Sequence, residues 1–189
     1  MIAQIAEVFR EHGYEGASLT LIEAATGLGK GSLYHFFPDG KEQMAAEVIA
    51  DIAVWFEENL FSELAGRNGR DDSIEAMFDL VCDYFRSGRR VCLVGVLALS
   101  DGRDRFAARL RSYFVRWVEA LTLALARAGV EIETATALAE EIVQGLQGAI
   151  VLARALDDPT VFDRAVARFR ARALAVIRAP ARGDGDAGF

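Results

Sequence analysis

Groups able to contact a phosphate or a base edge are concentrated in one short stretch of this 189-residue chain. Residues 27–41 read GLGKGSLYHFFPDGK, and Lys30, Ser32, Tyr34 and His35 fall on the exposed side of one short helix. Ammonium, hydroxyl, phenol and imidazole groups are the donors that bind DNA phosphates and base edges. Lys41 follows at the start of the next helix, where backbone N–H groups also attract phosphate. Residues 27–38 contain no acid. Other chemistries fail on spacing. A nucleotide-binding G-x-x-x-x-G-K-[ST] loop needs glycine at Ala24 and a hydroxyl at Gly31, and the dinucleotide fingerprint needs glycine at Ser32. His35 has no Ser, Cys or carboxylate at the spacing of a catalytic motif. Cys82 and Cys92, ten apart, give neither zinc-ligand spacing nor a disulfide framework, and a reducing cytosol is the expected setting. No cofactor or metal is expected.

Holding those donors outward takes two short helices joined by a glycine turn, the helix-turn-helix arrangement. Leu21 or Ile22, Ala25, Leu28, Leu33 and Phe37 are spaced to hold the pair together. Ser18 or Thr20 starts the first of the two, and Thr20 with Glu23 fits a capping box. The helix stops near Gly27. The second spans residues 30–36, and Pro38 forces a break. Asp39 is expected to cap a fourth helix with Met44, Val48, Ile52 and Trp55 or Phe56 on its apolar face. Ahead of the pair, Ile2, Ile5, Ala6 and Phe9 recur at helical spacing and Gly13 sits where a C-terminal cap belongs.

The remainder runs in longer apolar stretches. Residues 66–72 read as a loop, residues 74–85 as an amphipathic helix, and residues 91–99 as a helix apolar all round and therefore buried. Phe106, Leu110, Phe114, Trp117 and Leu121 mark a long helix ended by Gly129. Helices are predicted over residues 132–156 and 160–178. Prolines occur only at Pro38, Pro159 and Pro180, so an all-α chain is expected. With 52% hydrophobic residues, disorder is excluded for most of the chain. No apolar run approaches the ~20 residues of a membrane span, so no membrane partner is expected. The net charge of −7 speaks against broad nucleic-acid affinity. Residues 1–50 hold three Lys/Arg and seven Asp/Glu, but the sign near the recognition helix decides contact within a Debye length of about 8–10 Å.

Gly13-Tyr14-Glu15-Gly16, Ser18-Leu19, Ala25-Thr26-Gly27 and above all Lys30-Gly31-Ser32-Leu33-Tyr34-His35-Phe36-Phe37-Pro38 resemble the DNA-binding domain of tetracycline-repressor-type (TetR family) regulators. Gly40-Lys41 and the stretch VCLVGVLAL resemble the LmrA/YxaF-type branch. The resemblance implies a homodimer on double-stranded operator DNA, with the helix at residues 30–36 in the major groove. It assigns Tyr34, His35 and Lys41 to phosphates, Lys30 and Ser32 to the groove floor or its edge, and Thr20 to the DNA backbone. Family members carry a basic stretch ahead of the first helix; this sequence opens inside that helix, so either its start is truncated or the arm is absent, and phosphate contacts there are expected to be lost.

The family layout also implies a small hydrophobic effector held in an apolar cavity. Trp55, Phe78, Cys82, Phe85, Phe114, Trp117, Leu121 and Gln144 are the candidates, although aromatic stripes taken one by one more often form core. Leu138, Ile142 and Ala149 on one late helix, and Phe162, Val166, Phe169 and Ala173 on the next, form stripes that either pack onto their own core or meet a second copy. Gly145 and Gly148 each cost about 1 kcal/mol in mid-helix, which favours close approach of a partner and a two-fold four-helix interface. The expected organisation is a helix-turn-helix domain at residues 1–45, an effector-binding and dimerisation domain at 46–180 and a disordered tail at 181–189. The implied function is cytoplasmic, ligand-responsive repression; the alternative is a small all-α hydrophobic-ligand-binding protein or enzyme with no DNA role.

Overall fold

Gly27 and Pro38 punctuate the chain as their backbone restrictions require. The computed structural model describes residues 1–66 and 72–179, and every regular element among them is helical. In order these are α1 (Ile2–Gly16), α2 (Leu19–Thr26), α3 (Lys30–Phe36), α4 (Lys41–Trp55), a π-helical segment (Phe56–Phe61), α5 (Ser62–Ala65), α6 (Asp72–Tyr84), α7 (Leu93–Ala98), α8 (Arg103–Arg127), α9 (Ile132–Ala155) and α10 (Thr160–Arg178). Most of the loop expected at 66–72, and the tail expected at 181–189, lie outside the described residues.

The chain forms two compact units that interleave in sequence. One comprises Met1–Glu58 with Arg90–Arg116; the other comprises Asn59–Arg89 and the chain from Trp117 onward. The head expected at residues 1–45 lies within the first unit.

In that first unit α1 packs on α2, α4 and α7, and α2 packs on α3. Ile5, Phe9, Ile22, Leu33, Phe37, Met44 and Val48 are buried and form its core. Tyr14 stacks on Phe9 (centroids 6.0 Å apart) and meets Phe106 edge-on at 5.4 Å. Burial pushes its hydroxyl pKa up, with the Arg105 guanidinium opposing. Three ion pairs link acids of residues 1–58 to arginines of residues 90–116: Glu7 with Arg90 at 3.1 Å, Glu42 with Arg105 at 2.9 Å, and Glu57 with Arg116 at 2.7 Å.

The second unit packs α10 on α9 and α6, and α5 on α6. Its core includes Phe78, Phe85, Trp117, Leu121, Ile142, Leu146 and Phe162, all with no exposed surface. The Phe85 ring stacks on Trp117 at 6.5 Å and meets Phe162 edge-on at 6.1 Å. Gly88, at φ 83°, is where the chain passes Phe162 so closely that an added Cβ would lie 2.6 Å from the phenylalanine Cβ. Asp79 pairs with Arg170 and Glu141 with Arg172 across these helices.

Four local expectations need correction. Gly13 has the left-handed φ of 66° that a helix end requires, but helical turns resume beyond it and α1 reaches Gly16 across a kink. Ser18, not Thr20, caps α2: its hydroxyl accepts from Leu21 N at 3.2 Å, so the Thr20–Glu23 capping box does not form. Asp39 does not cap α4; Gly40 at φ 67° occupies the cap, and Gln43 Oε1 accepts from Asp39 N at 3.1 Å. The stretch at residues 91–99 is shorter as a helix than its apolar run, because Cys92 caps it through Sγ (3.4 Å to Gly95 N) and Leu99, past its end, is exposed.

Candidate DNA interface and associated sites

The α2–turn–α3 unit is locked by its own side chains. Gly27, at φ 71°, ends α2 and donates to Glu23 O. Thr26 Oγ1 donates to Ile22 O at 2.7 Å and accepts from Leu28 N at 3.3 Å, which satisfies groups left open at a helix end. Gln4 Nε2 donates to Ala25 O at 3.0 Å and fastens the end of α2 to α1. Leu33 and Phe37 are buried and turn the inner face of α3 into the core that also holds Ile5, Phe9, Ile22, Met44 and Val48. Lys30, Ser32, Tyr34 and His35 are left outward and exposed together, with Thr20 also exposed on α2. The Tyr34 ring lies beside the start of α4, 3.3 Å from where a Gly40 Cβ would stand. Phe36, which no sequence argument had assigned, is exposed as well. The run His35-Phe36-Phe37 contained the signal, since with Leu33 inward only Phe37 continues the buried face.

Lys41 is placed differently from the other donors. It is half-buried, and its Nζ donates to Tyr14 O at 2.8 Å and Glu15 O at 3.4 Å, 4.7 Å from the Tyr14 ring centroid. Its ammonium therefore closes the carbonyl end of α1. One turn further along α4, a cleft of about 430 Å³ opens between Asp39, Glu42, Gln43 and Ala46 on one side and Arg105, Phe106 and Arg109 on the other. It shares no residue with the effector set.

The effector set divides. Trp55 and Phe114 are half-buried in the first unit. Phe78, Phe85, Trp117 and Leu121 are fully buried in the second, Cys82 is half-buried and Gln144 is exposed. Burial pushes the Cys82 thiol pKa up, with Arg170 opposing, so the residue is a neutral apolar group near neutral pH. The interface set also divides. Leu138, Ile142, Ala149, Phe162, Val166 and Ala173 are buried by the chain's own packing. The room at Gly145 is taken by Phe169 of the same chain, whose Cζ lies 2.0 Å from an added Cβ, whereas nothing stands within 4 Å at Gly148. Among the described residues, no group of three His, Cys, Asp or Glu is placed to hold a metal ion, and no helix is long and apolar enough to cross a membrane.

An outward donor face on a short helix, held by a glycine turn within a small helical head, defines the helix-turn-helix class. The family model "Bacterial regulatory proteins, tetR family" matches residues 1–48, and "Transcriptional regulator LmrA/YxaF-like, C-terminal domain" matches residues 72–168. An uncharacterized HTH-type transcriptional regulator of Mycobacterium tuberculosis is 29% identical over 86% of this chain and 87% of its own length. The HTH-type regulator YxaF of Bacillus subtilis is 25% identical over 82% of this chain and 83% of its own. Among solved structures, a TetR regulator from Chloroflexus aurantiacus is 30% identical, covers 90% of each chain and superposes with a TM-score of 0.74. One from Legionella pneumophila gives 0.79 at 22% identity, covering 90% of this chain and 94% of its own. The chain belongs to the TetR family of bacterial transcriptional regulators, in the LmrA/YxaF-like branch. It is a regulator and not an enzyme.

Proposed function

We propose that this regulator is a cytoplasmic homodimeric repressor that a small hydrophobic effector releases from its operator. The observation that carries the reading is the exposed, acid-free outer face of α3. Thr20, Tyr34 and His35 contact phosphates, and Lys30 and Ser32 reach base edges, because the first residues of a recognition helix lie deepest in the groove. Lys41 acts mainly through α1, whose end it holds at the start of α4. Similarity over 71 residues to the HTH-type transcriptional repressor AcnR of Corynebacterium glutamicum, 32% identical over 38% of this chain and 35% of its own length, supports repression.

Two copies present their recognition helices one DNA turn apart, about 34–36 Å. The buried members of the α9 and α10 stripes hold those helices together within one chain. The exposed residues Gln144, Gly148, Val151 and Leu152 of α9 and Ala167, Ala171 and Ala175 of α10 are the surface offered to the second copy. The effector enters among Phe78, Cys82, Phe85, Trp117 and Leu121 of the second unit. Because most of that set is already buried, entry displaces side chains, and the effector shifts DNA affinity only by its preference for the opened state.

Fluorescence anisotropy on a duplex selected from random sequence by the wild-type protein tests the DNA reading. Tyr34→Ala and His35→Ala weaken binding to all operator variants alike, and Lys30→Ala or Ser32→Ala changes which base pairs are preferred. Unchanged affinity in all four variants would remove α3 from the interface.

A further inference from the structure

The outer face of α3 carries one group that the donor reading leaves without a task. Lys30, Ser32, Tyr34 and His35 each offer a hydrogen-bonding atom, and Gly31 offers bare backbone. Phe36 offers none, yet its side chain is 51% exposed. Leu33 and Phe37 already fill the inward face of the helix, so the ring has no place in the core beneath it. His35 meets it edge-on, with centroids 5.6 Å apart and planes at 71°, and limits how it can turn. At 3.6 residues per turn, Phe36 stands directly beyond Ser32 on one ridge of α3, while Tyr34 stands beyond Lys30 on another. The ridge assigned to base edges through Ser32 therefore ends in a bare apolar ring.

Each base pair shows the major groove a pattern of donors and acceptors, and thymine adds the one apolar feature, its C5-methyl group. We propose that Phe36 is a specificity-determining residue that packs against a thymine methyl in each operator half-site. Polar neighbours on α3 read hydrogen-bonding atoms; Phe36 separates thymine from cytosine by the methyl alone. The proposal rests on the reading that α3 enters the major groove. Burying one methyl-sized group is worth about 0.8 kcal/mol, or roughly a fourfold change in affinity per half-site, and about fifteenfold when both half-sites contribute.

The test replaces thymine by deoxyuridine, one position at a time, in the duplex selected from random sequence by the wild-type protein. The exchange deletes the methyl and keeps every hydrogen-bonding atom. Wild-type protein should lose about fourfold at one thymine per half-site. Phe36→Ala should bind thymine and uracil versions equally, and Phe36→Leu should keep part of the difference; melting temperatures within a few degrees of wild type show that both variants fold. Absence of any thymine-to-uracil effect in the wild type, or the same effect in Phe36→Ala, overturns the proposal. A uniform loss in Phe36→Ala without a uracil effect overturns it too, and assigns the ring to sugar or phosphate. Tyr34→Ala and His35→Ala are measured alongside. If they weaken binding while Phe36 fails its test, the placement of α3 stands and only the role of Phe36 falls.

Discussion

Gly145 is explained within one chain by Phe169, and the size of that effect can be worked out. An alanine Cβ at 145 would lie 2.0 Å from Phe169 Cζ, 2.5 Å from Cε2 and 3.1 Å from Cε1. Carbon atoms rest at about 3.5–4.0 Å, so the tip of the ring must withdraw by roughly 1.5 Å or more. Phe169 is half-buried, so it can move, but its packing on α9 is then lost. Overpacking of this kind costs about 1–3 kcal/mol, while alanine gains about 1 kcal/mol over glycine in mid-helix. Gly145→Ala should therefore destabilise the protein by about 1 kcal/mol. With Phe169→Ala already present the clash is gone, and Gly145→Ala should stabilise by about 1 kcal/mol. The coupling energy of the cycle is then about 2 kcal/mol, within the usual range for residues in contact. Urea unfolding followed by far-ultraviolet circular dichroism measures it, at one fixed protomer concentration because dimer stability depends on concentration. Equal stabilisation by Gly145→Ala in both backgrounds would refute the account.

Gly148 has open space around it, so Gly148→Ala should gain about 1 kcal/mol in a chain on its own, and Gly148→Leu should weaken self-association in sedimentation while helicity is kept; a fully dimeric Gly148→Leu would move the interface elsewhere. Ser18→Ala should cost about 1 kcal/mol in thermal unfolding, because the Leu21 N–H loses its acceptor at the start of α2. Trp117→Ala should cost about 3–5 kcal/mol as a fully buried side chain, and if Trp117 also meets the effector, ligand response should fall more than DNA affinity in the folded fraction. Backbone N–H groups of Glu133 and Thr134 hold the Glu131 carboxyl below its ordinary pKa, and Thr160 does the same for Asp158. Both carboxylates are depressed in the folded state, so their stabilisation is full above the ordinary carboxylate range and fades as pH falls through the folded values. Glu131→Gln and Asp158→Asn should flatten the acid limb of a thermal-melt pH series at roughly pH 5 and below; an unchanged limb would remove these caps as its source.

Helix positions were legible because their signals are local. Lys30–Phe36 was bounded by a glycine turn and a proline, and the last two helices by Gly129 and Pro159, so their limits fall where predicted to within a residue or so. Caps were less legible, because Ser18 and Thr20 are both suitable types and the choice depends on where the chain leaves α1 through Ala17, which is fully buried. Nothing in sequence periodicity announced the π-helical segment. There Phe56, Leu60 and Phe61 are all buried while Glu57, Glu58 and Asn59 face water. Residues five apart do not share a face of an α-helix, and the wider i→i+5 turn brings Phe61 back toward the side of Phe56. Gly145 shows a similar limit: a mid-helix glycine says that something approaches closely, and sequence does not say that Phe169 of the same chain fills the space.

How a chain of net charge −7 presents a surface to DNA follows from where its acids are spent. Within residues 1–58 acids far outnumber bases, and taken alone that segment would repel a polyanion. Three of those acids meet arginines supplied by residues 90–116: Glu7 with Arg90, Glu42 with Arg105 and Glu57 with Arg116. Glu7 also pairs with Arg10 at 2.7 Å. The Glu42–Arg105 and Glu57–Arg116 pairs are exposed on both sides, so their contribution to stability is small, yet pairing changes what a phosphate about one Debye length away experiences, because a paired carboxylate presents a dipole and not a charge. The outer face of α3 then carries Lys30 with no acid beside it in sequence. An electrostatic term this small makes affinity depend on specific contacts, so discrimination between operator and random DNA should be high and non-specific binding weak. Replacing Arg105 with glutamine leaves Glu42 uncompensated one residue beyond Lys41. That change should lower affinity for operator and random duplexes by the same factor, and the loss should shrink as salt is raised from 50 to about 200 mM.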